Sequence, residues 1–319
     1  MKKRMAILDD YQNVVRDYAD WSAIEDRVDI TVFHDTIHDP DRLAERLAPY
    51  EILLTNRERT PFPAKLIERL PNLRLLATTG MHNHAIDTNF ARDRGIFVCG
   101  TQSDTDSTAE LTWGMIFALT RNLCVEDANM RAGGWQSTVG FGMTGKVLGI
   151  LGLARIGAQV ATIGKLLNMR VVAWSTNLTA QRCAEVGVEL VDKATLFSIS
   201  DVLSLQIRLS ERTRHIVGAE DLARMKPTSY LINTSRGAIV DEAALVNVLR
   251  NRKIAGAGLD VFDIEPLPRD HVLRTLPNTL LVPHLGYVTD GMYRNYWPQS
   301  LENVVAYLDG NPIRPIKVI

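Results

Sequence analysis

The chain carries almost no net charge: 36 lysines and arginines stand against 37 acids, giving −1 at neutral pH. That balance provides no broad cationic face for nucleic acid or an anionic membrane, so an anionic ligand must be held by local groups. No apolar run approaches the roughly 18 residues of a membrane span. After the basic start Met1-Lys2-Lys3-Arg4, only Met5 to Leu8 are apolar before Asp9-Asp10, too short for a signal-peptide core. Cysteine is scarce. Cys99, Cys124 and Cys183 are odd in number and far apart, which reads as three buried thiols in a reducing compartment, the cytoplasm by default. His34 with His38, and His82 with His84, lack a third ligand nearby, so no metal is expected.

What is present is a repeated strand-helix alternation over 319 residues, a length that favours two domains. Arg4–Leu8, Val28–Phe33, Ile52–Thr55, Leu73–Thr78 and Ile96–Cys99 read as strands. Val14–Ile24, Leu43–Leu47, Ala64–Leu70 behind Pro63, and Ile86–Arg94 before Gly95 read as helices. Such alternation predicts a parallel sheet with helices on both faces. Ser107–Arg131 lacks proline and reads as one long helix ending at Gly133-Gly134; about 25 residues at 1.5 Å each would span close to 37 Å. The alternation then resumes. Strands are expected at Val147–Leu151, Val171–Trp174, Val202–Leu205, Tyr230–Asn233, Gly258–Val261 and Leu280–Val282, and helices at Ile156–Leu167, Glu242–Leu249 and Trp297–Leu308. The last helix has room on the N-terminal sheet.

The segment from Gly149 through Gly152 and Ala154 to Gly157 leaves a strand and enters a helix. It fits a dinucleotide fingerprint. Gly152 allows the tight turn, Gly157 lets the helix pack on the strand, and Ala154 stands where a second glycine would let backbone approach a pyrophosphate. Ala154, Arg155 and Ile156 open the helix whose free N–H groups would bind phosphate. The next strand ends at Ser175-Thr176-Asn177 without the acid that binds NAD ribose hydroxyls, and without an adjacent arginine for a 2′-phosphate. The cofactor is therefore NAD or NADP.

Three later strands end in polar groups: Asn233-Thr234-Ser235-Arg236-Gly237, Leu259-Asp260-Val261-Phe262-Asp263-Ile264-Glu265-Pro266, and Pro283-His284-Leu285-Gly286. Ligands of open α/β sheets sit outside the carboxyl ends of strands. Arg236, Glu265 and His284 are the residue types that 2-keto acid reduction requires. Arginine pairs with a carboxylate and polarises a carbonyl. Histidine gives a proton to oxygen, and a carboxylate behind it fixes its orientation.

These motifs, in this order and over essentially the whole chain, resemble the D-isomer-specific 2-hydroxyacid dehydrogenase family. The resemblance implies catalytic roles for Arg236, Glu265 and His284. It implies an α/β fold in two parts: a doubly wound Rossmann NAD(P)-binding domain over 101–287, and a flavodoxin-like substrate domain over 1–100 and 288–319. Thr108 would line the nicotinamide site, Asp260 would hold the carboxamide, and Thr234 and Ser175 would also touch cofactor. The loop Thr79-Gly80-Met81-His82-Asn83 would offer N–H groups to the substrate carboxylate from Gly80, Met81 and His82. Leu205-Gln206-Ile207-Arg208 departs from that family's His-x-Pro pattern. Trp135 and Tyr287 are candidates for the substrate pocket and equally for core or interface packing. The expected partners are a small 2-keto or 2-hydroxy acid, such as glyoxylate or hydroxypyruvate, and a second copy in a homodimer. A cofactor-sensing, corepressor-like binding protein of the same fold is the rival reading.

Overall fold

A computed structural model describes residues 2–102 and 106–316. The chain divides into two compact units, Met1–Asp104 with Thr289–Ile319, and Thr105–Val288. The first unit contains β1 (Lys3–Ile7), α1 (Val15–Tyr18), β2 (Val28–Val32), α2 (Pro40–Leu47), β3 (Ile52–Thr55), α3 (Ala64–Ile67), β4 (Leu75–Thr78), α4 (Thr88–Asp93) and β5 (Phe97–Cys99). Its five strands are parallel in the order β2-β1-β3-β4-β5, the flavodoxin-like arrangement. β3 and β4 are buried throughout, which explains why they read as continuous apolar runs. The expected helix Val14–Ile24 stops early. The Asp20 carboxylate accepts the Ser22 N–H and caps a separate 3-10 turn at Trp21–Ile24. Such local side-chain bonding competes with helix continuation.

The second unit opens with α5 (Asp106–Thr120) and α6 (Leu123–Arg131) where one helix was expected. Asn122 adopts a left-handed conformation at φ 54°, a state asparagine tolerates better than most residues. The Thr120 carbonyl accepts the Phe141 N–H instead of continuing the helical ladder. Distant chain thus captures the acceptor, and the helix breaks there. α6 buries none of its residues, so Cys124 is exposed and only Cys99 and Cys183 are buried thiols.

There follow β6 (Val147–Leu151), α7 (Arg155–Leu166), β7 (Arg170–Trp174), α8 (Ala180–Val186), β8 (Glu189–Leu190), α9 (Lys193–Ile199), β9 (Val202–Leu205), α10 (Ala219–Arg224), β10 (Tyr230–Asn233), α11 (Glu242–Arg250), β11 (Gly256–Leu259) and β12 (Thr279–Leu281). The seven strands are parallel in the order β12-β11-β10-β9-β6-β7-β8. The chain winds outward from β6 to β8, then restarts on the other side at β9. That reversal is the Rossmann switch point, and ligands bind at its carboxyl edge. Separate apolar layers cover the sheet, one including Leu203, Leu231 and Ile239, the other Ile150, Val160 and Ile232.

The chain returns to the first unit as α12 (Asp290–Leu308). It starts earlier than the expected Trp297 because Thr289 caps it by accepting the Met292 N–H. Among the described residues no helix is long and apolar enough to cross a membrane.

Leu203 is fully buried at the centre of β9. Leu203→Ala is expected to lower the stability of the second unit by about 2–5 kcal/mol, seen as an earlier urea transition.

Candidate active site

The loop after β6 is shaped by contacts that exclude side chains. Gly152 has φ +98°, and a Cβ there would lie 2.6 Å from the Gln206 carbonyl oxygen. Only glycine lets the loop cross the β9 end at this distance. A Cβ on Gly157 would collide with the Gly152 carbonyl. Ala154 takes an ordinary extended conformation at φ −77° and is exposed, so the second position of the motif needs no glycine here. Arg155 and Ile156 begin α7, whose first turn holds no acid and whose N-cap forms no side-chain hydrogen bond. This glycine cradle before an uncapped helix start fits a pyrophosphate, held by backbone N–H groups and the helix dipole. Ser175 follows the end of β7 beside a pocket of about 610 Å³ shared with Thr176, Leu178, Val191 and Asp192. Asp192 escaped the sequence reading. The Thr195 hydroxyl and N–H hold its carboxyl below the usual range.

Beyond the β11 and β12 ends the structure brings Glu265 and His284 together. His284 Nδ1 lies 2.6 Å from Glu265 Oε2. The other glutamate oxygen, Oε1, accepts the Phe262 N–H at 2.9 Å. The carboxylate is therefore held at both oxygens and presents one to the imidazole. His284 sits at φ +53°, a conformation that stores strain for a non-glycine residue and is common at functional sites. Its N–H donates to the Asp260 carbonyl at 2.8 Å. Tyr287 stacks edge-on against the imidazole, ring centres 5.6 Å apart.

Arg236 follows the β10 end in extended backbone. Its carbonyl accepts from Asn233 Nδ2, and its guanidinium donates to the Ser235 carbonyl. Gly237, the next residue, has no room for a Cβ because the Phe262–Asp263 peptide lies against it. The arginine segment and the loop bearing Glu265 thus touch backbone to backbone.

Asp260 is fully buried. Its carboxylate accepts the Leu285 N–H at 2.5 Å and the Gly286 N–H at 3.1 Å. The Ser107 and Thr108 hydroxyls donate to the Gly286 carbonyl. Asp260 and Thr108 therefore clamp the turn just after His284. Burial pushes the Asp260 carboxyl up to about 6, against the pull of His284 and the two N–H groups. Thr234 is buried in a hydroxyl cluster with Thr112 and Gln206, which sequence reasoning missed.

The loop Thr79–Asn83 belongs to the first unit. Gly80 has φ +85°, and its N–H donates to Thr101 Oγ1 at 2.8 Å. This corrects the expectation that Gly80 offers its N–H to a ligand, since a buried threonine already takes it. Met81 is half-buried and His82 exposed, and among the described residues their N–H groups meet no protein acceptor. The Arg57 guanidinium covers Gly80 where a Cβ would stand. That cation was not singled out from sequence, because only the fold brings β3 and β4 ends together.

Residues 113–286 match the D-isomer specific 2-hydroxyacid dehydrogenase, NAD binding domain. The chain belongs to the D-isomer specific 2-hydroxyacid dehydrogenase family. It is 37% identical over 281 residues to a glyoxylate reductase of Aeropyrum pernix, covering 82% of this chain and 84% of that one. A hydroxypyruvate reductase of Thermotoga maritima is 34% identical over 269 residues, 82% and 87% of the two chains. A phosphoglycerate oxidoreductase structure from Vibrio cholerae superposes with a TM-score of 0.91 at 39% identity, covering 97% of this chain and 99% of that one.

The raised Asp260 carboxyl sets a pH test. The folded chain binds this proton more tightly than an unfolded aspartate near 3.9. Its stabilising contribution is full below pH 4 and lost as pH rises to about 6. The melting temperature of Asp260→Asn minus that of the native chain should therefore rise between pH 4 and pH 7. A flat difference would contradict the buried, proton-favouring site.

Proposed function

We propose that this chain reduces small 2-keto acids to D-2-hydroxy acids with NADH or NADPH as donor. The Glu265–His284 pair, anchored through Phe262 beside the Arg236 segment, carries the reading. A bound reduced nicotinamide supplies hydride to the substrate C2. Arg236 pairs with the substrate carboxylate and draws electron density onto the carbonyl oxygen. His284 Nδ1 is held by Glu265, so Nε2 is the atom that gives a proton to that oxygen. Glu265 keeps the imidazole oriented and balances its positive charge. Gly152 and the start of α7 hold the pyrophosphate, with Ala154, Arg155 and Ile156 at its edge. Thr108, Ser175, Thr234 and Asp260 build the rest of the cofactor wall.

The second unit serves as the cofactor domain and the first as the substrate domain. The reductase activities named for the relatives favour glyoxylate and hydroxypyruvate as substrates. The active form is a homodimer. Supporting this, α6 buries nothing, and Leu123, Val125 and Met130 on it, with Trp135 and Val139 beyond it, stand exposed; a second copy would cover such a patch. Three unpaired cysteines favour a cytoplasmic location.

Absorbance at the reduced-nicotinamide band tests the reaction. Glyoxylate or hydroxypyruvate should oxidise NADH or NADPH in the presence of the chain; no oxidation with any 2-keto acid refutes the activity. His284→Gln should lose about 10²- to 10⁴-fold in kcat while reduced cofactor still binds by fluorescence. Sedimentation should give a dimer mass, and Val125→Glu a monomer.

A further inference from the structure

Gln206 occupies the switch point of the second sheet and touches three walls of the site. Its backbone N–H donates to the Leu151 carbonyl at 2.7 Å, and its carbonyl fills the space that Gly152 leaves open. Its side chain turns inward and is 7% exposed. Nε2 lies 2.9 Å from Ser204 Oγ, 3.0 Å from Thr234 Oγ1 and 3.3 Å from Thr112 Oγ1.

The hydrogens in this cluster can be assigned by elimination. Thr112 donates its hydroxyl hydrogen to the Thr108 carbonyl at 2.8 Å, one helical turn back. It can therefore only accept from Thr234, 2.9 Å away. Thr234 spends its hydrogen on Thr112 and can only accept from Gln206. The amide must present its NH₂ group, the one donor available with two hydrogens. The chain of bonds runs one way, from Gln206 through Thr234 and Thr112 to Thr108, and such directed chains reinforce one another.

This chain passes two functional segments. Thr234 is two residues before Arg236. Thr108 donates to Gly286, two residues after His284. A parallel tie runs from Ser235 Oγ to the Leu205 carbonyl at 2.9 Å.

We infer that Gln206 is a positioning residue whose carboxamide sets the place of the Arg236 segment relative to the cofactor loop. It does not touch substrate; it acts through Thr234. The inference rests on the reading of Arg236 as the carboxylate-binding group. An acceptor-only side chain of the same shape should break the device, because Thr234 then has no donor to accept from and a buried group loses its partner.

The test compares Gln206→Leu, Gln206→Glu, Gln206→His and Thr234→Val with the native chain. Three readouts are taken: steady-state kinetics with glyoxylate, reduced-cofactor affinity by fluorescence, and binding of oxamate, a non-reducible 2-keto acid mimic, to the chain with reduced cofactor. Gln206→Leu and Gln206→Glu should raise the glyoxylate KM and the oxamate Kd at least fivefold and lower kcat at least tenfold. Cofactor Kd should stay within twofold. Thr234→Val should reproduce the keto-acid defect from the other end of the bond, and because Thr234 also belongs to the cofactor wall, the cofactor criterion applies to the Gln206 variants alone. Gln206→His keeps one N–H donor and should recover most of the loss. Unchanged glyoxylate KM and oxamate Kd in folded Gln206→Leu and Thr234→Val overturn the inference. So does a loss confined to cofactor Kd. Should Gln206→Leu not fold, Thr234→Val and Gln206→His still decide. A native chain inactive on every keto acid would sink the proposed activity instead, and the oxamate comparison would still judge Gln206.

Discussion

Gly152 packs its bare Cα against the backbone of Gln206 where the second sheet reverses its strand order. All strands of this sheet are parallel, so their carboxyl ends share one edge. The reversal opens a crevice on that edge, and the missing side chain at Gly152 brings the β6 and β9 ends close enough to form one surface. The cofactor cradle, the Arg236 segment and the loop bearing Glu265 all hang from that surface. A side chain at position 152 would push the first of these away from the rest.

Much of this edge was legible in the sequence for a physical reason. Strands buried on both faces leave little but apolar residues between their ends, so a polar group at a strand end stands out. Arg236, Glu265 and His284 were visible this way, Asp260 came with the family resemblance, and the glycine spacing marked the cofactor loop. Strand positions for β6, β9 and β10 agree residue for residue with the apolar runs. β11 lies two residues earlier than expected, at Gly256–Leu259, because Gly256 reads as a breaker when alone and as a close-packing site when paired with its neighbours.

What escaped notice depends on partners far along the chain. The break at Asn122 follows from Phe141 taking the Thr120 carbonyl, a contact no local pattern records. The Gly80 N–H is absorbed by Thr101, from the end of the adjacent strand β5. Arg57 covers Gly80 only because β3 and β4 are neighbours. Gln206 did leave a trace, as a departure from the family's pattern, but its three hydroxyl partners come from β9, the β10 end and α5.

The arrangement around His284 shows how a strained group is kept in place. A histidine in left-handed backbone is costly by about 1–3 kcal/mol. Its own N–H bonds to the Asp260 carbonyl, while the Asp260 carboxylate takes the next two N–H groups in turn. One buried acid residue therefore fixes three successive peptides. The cost of burying that acid appears in its raised carboxyl, pushed to about 6. An apolar residue would avoid this cost, yet it could not accept from Leu285 and Gly286, and one half-buried and one buried donor would then lose this partner. The Gly286 carbonyl is anchored from the opposite side by Ser107 and Thr108. Because Thr108 also accepts at its carbonyl from Thr112, the clamp behind the histidine and the hydroxyl line leading to Thr234 share one residue. The proton-donating side and the arginine side are thus held to a single helix, α5, and movement of that helix would shift both.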